Sequence, residues 1–400
     1  MTSGWTPTRL GEVVKIKHGF AFSGMAANTD SSLPVVVGIG NFDYAGGFRF
    51  GSTTIKRYVG QYPAEFTLTP GDVLLAMTCQ TAGGEILGIP GTVPDDGQTY
   101  LHNQRLGKVE VLDPTRIDLR YFFQLARWHP FNRHLYATAS GSKILHTSPR
   151  RIEDFAVDLP PLPEQQSIAA ALSAVDDKIE SNRRAIAAIS DLLDAQSEKF
   201  GAGLPTVPLG AIATSVKDTV DPSKLCDAVV DHFSLPAFDS GARPEHVAAA
   251  SIKSNKLRVP QQAVLLSRLN PRFNRTWWAA VEAKTATLAS TEFLVLTSED
   301  ALELAAVWLA VRDPFFREEL PKRVTGTSGS HQRVRPDDAL AIEVPDFRSA
   351  APEVKQSTLA LLMRAESLRI ESDRVTTLRD TLLPELLSGR RRSTVEGVAA

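Results

Sequence analysis

From Leu172 onward, apolar or small polar positions recur at steps of three and four: Leu172, Val175, Ile179, Asn182, Ile186, Ile189, Leu193, Gln196 and Phe200. Alternating steps of three and four keep one helix stripe facing a partner, the heptad signature of a coiled coil. Pro163 and Glu164 suit its start, because proline gives up an N–H that has no helical partner there and the carboxylate meets the positive end of the dipole. Gly201 and Gly203 stop it. A second such pattern from Pro352 to Leu387 runs through Leu361, Ala365, Leu368, Ser372 and Val375, then shifts through Leu378 to Leu382 and Leu386. Pro384 is expected to kink its last turns. A helix of about 37 residues is a rod of roughly 50 Å, too long to be packed only on its own globule. Asn182 and Gln196 place polar groups in the stripe, which either set helix register or face another protein.

Elsewhere the pattern shortens. "LPVVVGI", "GDVLLAM", "LGKVEVL", "QAVLLSR" and "EFLVLT" are apolar or alternating runs bounded by Gly, Pro, Asn and Asp, and they read as strands. "RYFFQLARWHPFNRHLY" and "ALELAAVWLAVRDPFFREEL" read as amphipathic helices. The chain also repeats itself. "TPTRLGEVVKIKHG" is echoed by "TVPLGAIATSVKDT", and "FTLTPGDVLLAMTCQTAGGEILG" by "LRVPQQAVLLSRLNPRFNRTWWA". "PEQQSIAAAL" and "PEVKQSTLALL" each open a long helical pattern. The predicted fold is α+β: two similar globular domains at 1–158 and 203–347, separated by two long antiparallel coiled-coil helices at 159–202 and 348–391, with a flexible tail at 392–400. A pseudo-twofold repeat of this kind gives a dumb-bell with a bar of fixed length.

Composition narrows the function. At 43% hydrophobic and 22% charged the chain has the make-up of a folded globular protein. Cys79 and Cys226 are too few for a disulfide scaffold, and no apolar run is long enough for a membrane span or a signal peptide, so the expected compartment is the cytoplasm. The net charge of −2 hides a segregation. Arg120, Arg127, Arg133, Lys143, Arg150 and Arg151 form one run without an acid, Lys253, Lys256, Arg258, Arg268, Arg272 and Arg275 a second, and the long helix between them is acidic. Two matching basic runs point to a polyanionic partner, and a measured separation suits a duplex read at two places.

The segments "DLPPLPEQQSIAAALSAVDDKIESNRR", "GSKILHTSPRRIEDFAVDLP", "PGDVLLAMT" and "LRDTLLPELLSG" resemble the specificity subunits of type I restriction-modification systems, over essentially the whole chain. The second junction, "VPDFRSAAPEVKQS", departs from that wording. The resemblance implies two target-recognition domains, each reading half of a split site in double-stranded DNA, and helices that fix the spacer and bind two methyltransferase subunits. An endonuclease/translocase subunit joins the full complex. It implies no catalysis and no cofactor on this chain; S-adenosylmethionine belongs to the methyltransferase partner. No Gly-rich cofactor loop after a strand and no Asn/Asp-Pro-Pro-aromatic element occurs.

Candidate DNA-contacting residues are loop polar groups near the basic runs. In the first domain they are Thr78, Gln80, Thr81, Asn103, Gln104, Arg105, Lys143 and His146; in the second, Arg268, Asn270, Arg272, Asn274, Arg275, Ser330, His331, Gln332 and Arg333. The candidate seam is Leu172, Val175, Ile179, Ile186, Ile189 and Leu193 against Leu361, Leu368, Val375 and Leu382. Trp277 and Trp278 are expected in the core. Two alternatives stay open: a metal-dependent nuclease built on Asp346, Glu353 and Lys355, a PD...ExK-like spacing, and an assembly protein whose coiled coil binds no DNA.

Overall fold

The structure, a computed structural model, describes residues 4–24, 30–51, 54–225, 228–281, 285–325 and 332–390. Cys226, Ser330, His331 and the tail expected at 392–400 lie outside the described residues. The chain forms two compact units, Met1–Asp177 with Val375–Ala400, and Lys178–Arg374.

Both units are built on one plan. In the first, the opening strand Thr6–Arg9 pairs antiparallel with Ala156–Leu159, the last strand before the long helix. In the second, Thr206–Pro208 pairs in the same way with Glu343–Pro345. A four-stranded antiparallel sheet follows in each. Its spatial order is Val14–His18, Leu106–Val111, Val73–Ala76, Pro90–Thr92 in the first unit. In the second it is Thr214–Ser215, Phe293–Thr297, Gln262–Ser267, Thr276–Ala280. A second sheet, of three strands in the first unit and five in the second, holds one parallel pair in each, Val35–Val37 on Tyr100–His102 and Val229–Phe233 on Ala286–Ser290. The second unit adds Thr219–Val220 and Glu245–Ala248 to that sheet.

The strand Thr276–Ala280 is buried on both faces, because successive side chains alternate across a sheet. Trp277 packs with Phe233, Phe238 and Phe293 on one side, and Trp278 with Trp308 on the other. Each tryptophan is therefore core. The stretches that read as single amphipathic helices are each broken by a proline. Leu119–Ala126 is followed by a separate helix His129–Ala137, and Ala301–Arg312 by Pro314–Glu319. Pro130 and Pro314 lack the N–H that would continue the preceding helix and sit instead in the first turn of the next.

The long helices span Leu162–Gly201 and Pro352–Leu387. Gly203 closes the first in a left-handed conformation at φ 89° that a side chain would strain. The second continues through Pro384, where the Ser388 N–H donates to the Pro384 carbonyl at 3.0 Å. The two run antiparallel within each unit. In the first unit Ile168, Ala169 and Leu172 share a core with Leu383, Leu386 and Leu387. In the second, Gln196 bonds Ser357 and Thr358, while Asn182 donates to Glu371 Oε2 at 3.0 Å and Ser372 Oγ at 3.2 Å. Asn182 is thus buried against the partner helix, the position of a register-setting polar group.

Of the seam residues, Leu172, Leu193 and Leu368 are buried; Val175, Ile179, Ile186, Ile189, Leu361, Val375 and Leu382 are half-buried. The stripe shifts as it meets the globules. Leu362 rather than Leu361 is fully covered, and Leu378 lies exposed.

The first junction has a physical reason for its wording. The buried Gln165 side chain donates to the Pro160 and Arg116 carbonyls, both at 2.8 Å, and accepts from the Asp118 N–H at 3.0 Å. One amide ties the start of the long helix to the cap of Leu119–Ala126. At the second junction Val354 stands in that place, and the tie is ionic: Lys355 Nζ bonds Glu303 Oε1 at 2.7 Å, on the first turn of Ala301–Arg312.

Candidate nucleic-acid interface

In the first unit three loops are stitched to one edge of the main sheet. The Met77 N–H donates to the Arg105 carbonyl at 3.0 Å, and the Thr147 N–H donates to the Met77 carbonyl at 2.9 Å. Thr78–Cys79 pairs with Leu145–His146. The 103–105 loop is held by the chain at Phe20, whose carbonyl accepts the Gln104 N–H at 2.9 Å; a Cβ on Gly19 would collide with the Asn103 carbonyl. Gln80, Thr81, Gln104, Arg105, Lys143 and His146 are exposed there. Thr78 and Asn103 are 3% and 4% exposed and work from behind. The Thr78 hydroxyl bonds His146 Nδ1 at 3.1 Å, and the Asn103 amide oxygen accepts from the Arg105 N–H at 3.0 Å.

The second unit repeats the stitch. The Arg268 N–H donates to the Glu292 carbonyl at 2.8 Å, the Val334 N–H to the Arg268 carbonyl at 3.0 Å, and the Asn270 N–H to the Gln332 carbonyl at 2.9 Å. Around it stand Arg268, Asn270, Arg272, Asn274, Arg275, Gln332 and Arg333. Arg268 Nε and Asn270 Oδ1 are buried and have no hydrogen-bond partner among the described residues.

The basic runs are less basic in space than along the chain. Arg127 is buried against Asp176, with bonds of 2.5 and 3.1 Å, and Arg120 pairs with Asp118. Arg275 forms a fork on Asp239 at 2.7 and 2.9 Å, Arg258 pairs with Asp218, and Arg333 with Glu292 at 2.7 Å. That last contact holds the Arg333 pKa above its ordinary value. Lys256 is buried on Ser254, and desolvation lowers its pKa. Exposed Arg105, Lys143 and Arg272 have no ion pair among the described residues. A feature outside the candidate set stands with them: Phe273, 55% exposed, under the guanidiniums of Arg272 and Arg275. Its signal in the sequence was an aromatic between two arginines in a proline turn, "PRFNR".

The nuclease spacing finds no matching geometry. The Asp346 carboxylate takes the Arg348 guanidinium at 2.8 Å on both oxygens and accepts the Arg348 N–H, which lowers its pKa. Lys355 is committed to Glu303. Among the described residues no three His, Cys, Asp or Glu side chains converge as metal ligands, and no helix is long and apolar enough to cross a membrane.

Residues 2–191 match the family described as "Type I restriction modification DNA specificity domain". Just under half of the chain is thus similar to the type I specificity family. Relatives in the family include the type I restriction enzyme MjaVIII specificity subunit of Methanocaldococcus jannaschii, 27% identical over 184 residues, which are 45% of this chain and 41% of that protein. The EcoBI specificity subunit of Escherichia coli is 24% identical over 189 residues, 47% of this chain and 36% of the relative. The matches thus span well under half the length of these relatives. A crystal structure of a type I restriction-modification S subunit from M. genitalium superposes with a TM-score of 0.58 at 13% identity, covering 96% of both chains. That likeness extends the family's α+β fold, with two similar domains and two long helices, beyond the part matched in sequence.

Proposed function

We propose that this chain is the sequence-specific DNA-binding subunit of a type I restriction-modification complex and reads a bipartite, asymmetric site with one domain per half-site. The observation that carries the reading is the duplicated edge: one topology stitches the same loops together twice and presents two different sets of side chains. Two identical edges would suit a palindrome; two different ones suit two different short sequences. In this reading Gln80, Thr81, Gln104, Arg105, Lys143 and His146 meet the first half-site, supported by Thr78 and Asn103. Arg268, Asn270, Arg272, Asn274, Arg275, Gln332 and Arg333 serve the second, with Ser330 and His331 assigned to it from the sequence alone.

The long helices act as a spacer and bind two methyltransferase subunits, and an endonuclease/translocase subunit completes the assembly in the cytoplasm. Methylation and cleavage then reside in those partners, with S-adenosylmethionine on the methyltransferase. The test is to map methylated bases in DNA modified by the assembled complex. One helical turn inserted near Ala187 is expected to lengthen the non-specific gap while both half-site sequences stay the same. A fixed gap with altered half-sites would overturn the assignment of roles.

A further inference from the structure

We propose that Phe273 reads a thymine methyl group in the half-site served by the second domain, an inference that rests on the DNA-binding reading above. The ring is 55% exposed on an edge otherwise made of polar side chains. Here the backbone is built to hold it out. Asn270 and Asn274 both adopt left-handed conformations, at φ 47° and 40°, bracketing the turn Pro271–Phe273. Pro271 is buried as its anchor, and the Phe273 N–H donates back to the Asn270 carbonyl at 3.1 Å. Asparagine tolerates this conformation better than other side chains, and a turn that spends it twice around one aromatic fixes where the ring points.

The ring's surroundings select the contact. The Arg272 and Arg275 guanidiniums lie over it at 4.7 and 5.0 Å from its centroid. Arg275 is locked in place by its fork on Asp239, while Arg272 is exposed with no ion pair among the described residues. A wedge that unstacks base pairs must offer open faces; this ring has two guanidiniums over it. Edge contact with an apolar group in the major groove, where thymine alone among the four bases carries a methyl, fits that geometry. Arg272 beside it suits a phosphate. In the first domain the corresponding stretch, 80–84, is Gln-Thr-Ala-Gly-Gly and carries no aromatic, so the methyl contact belongs to one half-site only.

The test uses the assembled complex with its methyltransferase partners and a duplex carrying the site that it modifies. Each thymine is replaced in turn by deoxyuridine, which lacks only the methyl group. Wild-type complex is expected to lose about three- to tenfold in affinity at one position of the second half-site, the order expected for one buried methyl. Phe273→Ala should bind the thymine duplex more weakly by that factor and no longer distinguish deoxyuridine there; Phe273→Leu should retain part of the distinction. Equal binding of every deoxyuridine duplex by wild type overturns the proposal. So does a Phe273→Ala loss that is the same on thymine and deoxyuridine, or that is accompanied by loss of a DNA bend, which would make the ring a wedge. If the complex selects no duplex at all, the parent reading fails, a result distinct from any of these.

Discussion

At the centre of the first domain's edge stands Met77, and at the same point of the second stands Arg268; both make the same two backbone bonds to neighbouring loops. The first edge surrounds that point with neutral and singly charged groups, Gln80, Gln104, Lys143 and the Thr78-supported His146. The second surrounds it with guanidiniums, two of them, Arg275 and Arg333, already answered by carboxylates of its own unit. What differs is how charge is managed. One domain leaves Arg105 and Lys143 open; the other carries four guanidiniums and neutralises two of them, keeping those two hydrogen-bonding forks in fixed positions while shedding part of the non-specific attraction.

The same contrast governs stability, and the largest expected effect breaks it most directly. In the second unit Asp194 holds two guanidiniums, accepting from Arg312 at 2.6 Å and from Arg317 at 2.5 Å. In the first, Asp176 holds Arg127, with Arg379 also in reach at 3.5 Å. Removing either carboxylate strands buried guanidiniums. Asp194→Ala is expected to destabilise its unit by about 3–5 kcal/mol in urea denaturation, and Asp176→Ala by about 3 kcal/mol. Asp194→Ala is the more damaging because Arg312 and Arg317 then repel each other at close range, a repulsion already visible as a lowering of the Arg312 pKa behind the larger effect of burial. Wild-type-like unfolding of both variants would mean that neither clamp holds its unit together.

Acid should soften the first unit next. Burial lowers the His102 pKa to about 4, against the pull of its bond to the Leu106 carbonyl at 2.9 Å. Above pH 6.5 the group is neutral whether folded or not and contributes no pH dependence. As the pH falls from 6.5 towards 4 the unfolded chain takes up a proton that the folded one refuses, so stability drops by up to about 3 kcal/mol. In the second unit the matching strand, Ala286–Ser290, holds no histidine, but burial also lowers the pKa of His232 on the strand beside it, so that unit responds in the same direction. Hydrogen exchange between pH 6.5 and 4.5 should show the first unit softening, and His102→Gln should flatten that trend. A trend unchanged in His102→Gln would assign it to other groups.

Smaller effects test the edges and the seam. Arg105→Ala should weaken DNA binding several-fold and reduce the slope of log affinity against log salt by about 0.9, the signature of one lost phosphate contact. An unchanged slope would remove Arg105 from the phosphate set. Asn182→Leu should alter stability by about 1 kcal/mol or less and loosen helix register, read as a spread of engineered interhelical cross-links in place of one pairing.

Much of this architecture was legible in the sequence. The bounds of the second long helix coincide with the heptad pattern, and the five apolar runs each hold a strand. Legibility failed where distant residues meet. The basic runs looked open because carboxylates that answer them, Asp176, Asp218 and Asp239, lie tens of residues away along the chain. Thr78 and Asn103 have the chemistry of readers, yet side-chain direction put them behind the surface, and no local pattern encodes that. Nothing in the local pattern says which way Phe273 points; the paired left-handed asparagines turn it outward.

The strand pairs that close each globule, Thr6–Arg9 on Ala156–Leu159 and Thr206–Pro208 on Glu343–Pro345, bring the ends of each domain side by side. Everything between those ends can be exchanged as a cartridge while the chain still arrives and departs at the same point. On the reading proposed above, one half of the recognised site could therefore be changed by itself while both long helices stay as they are.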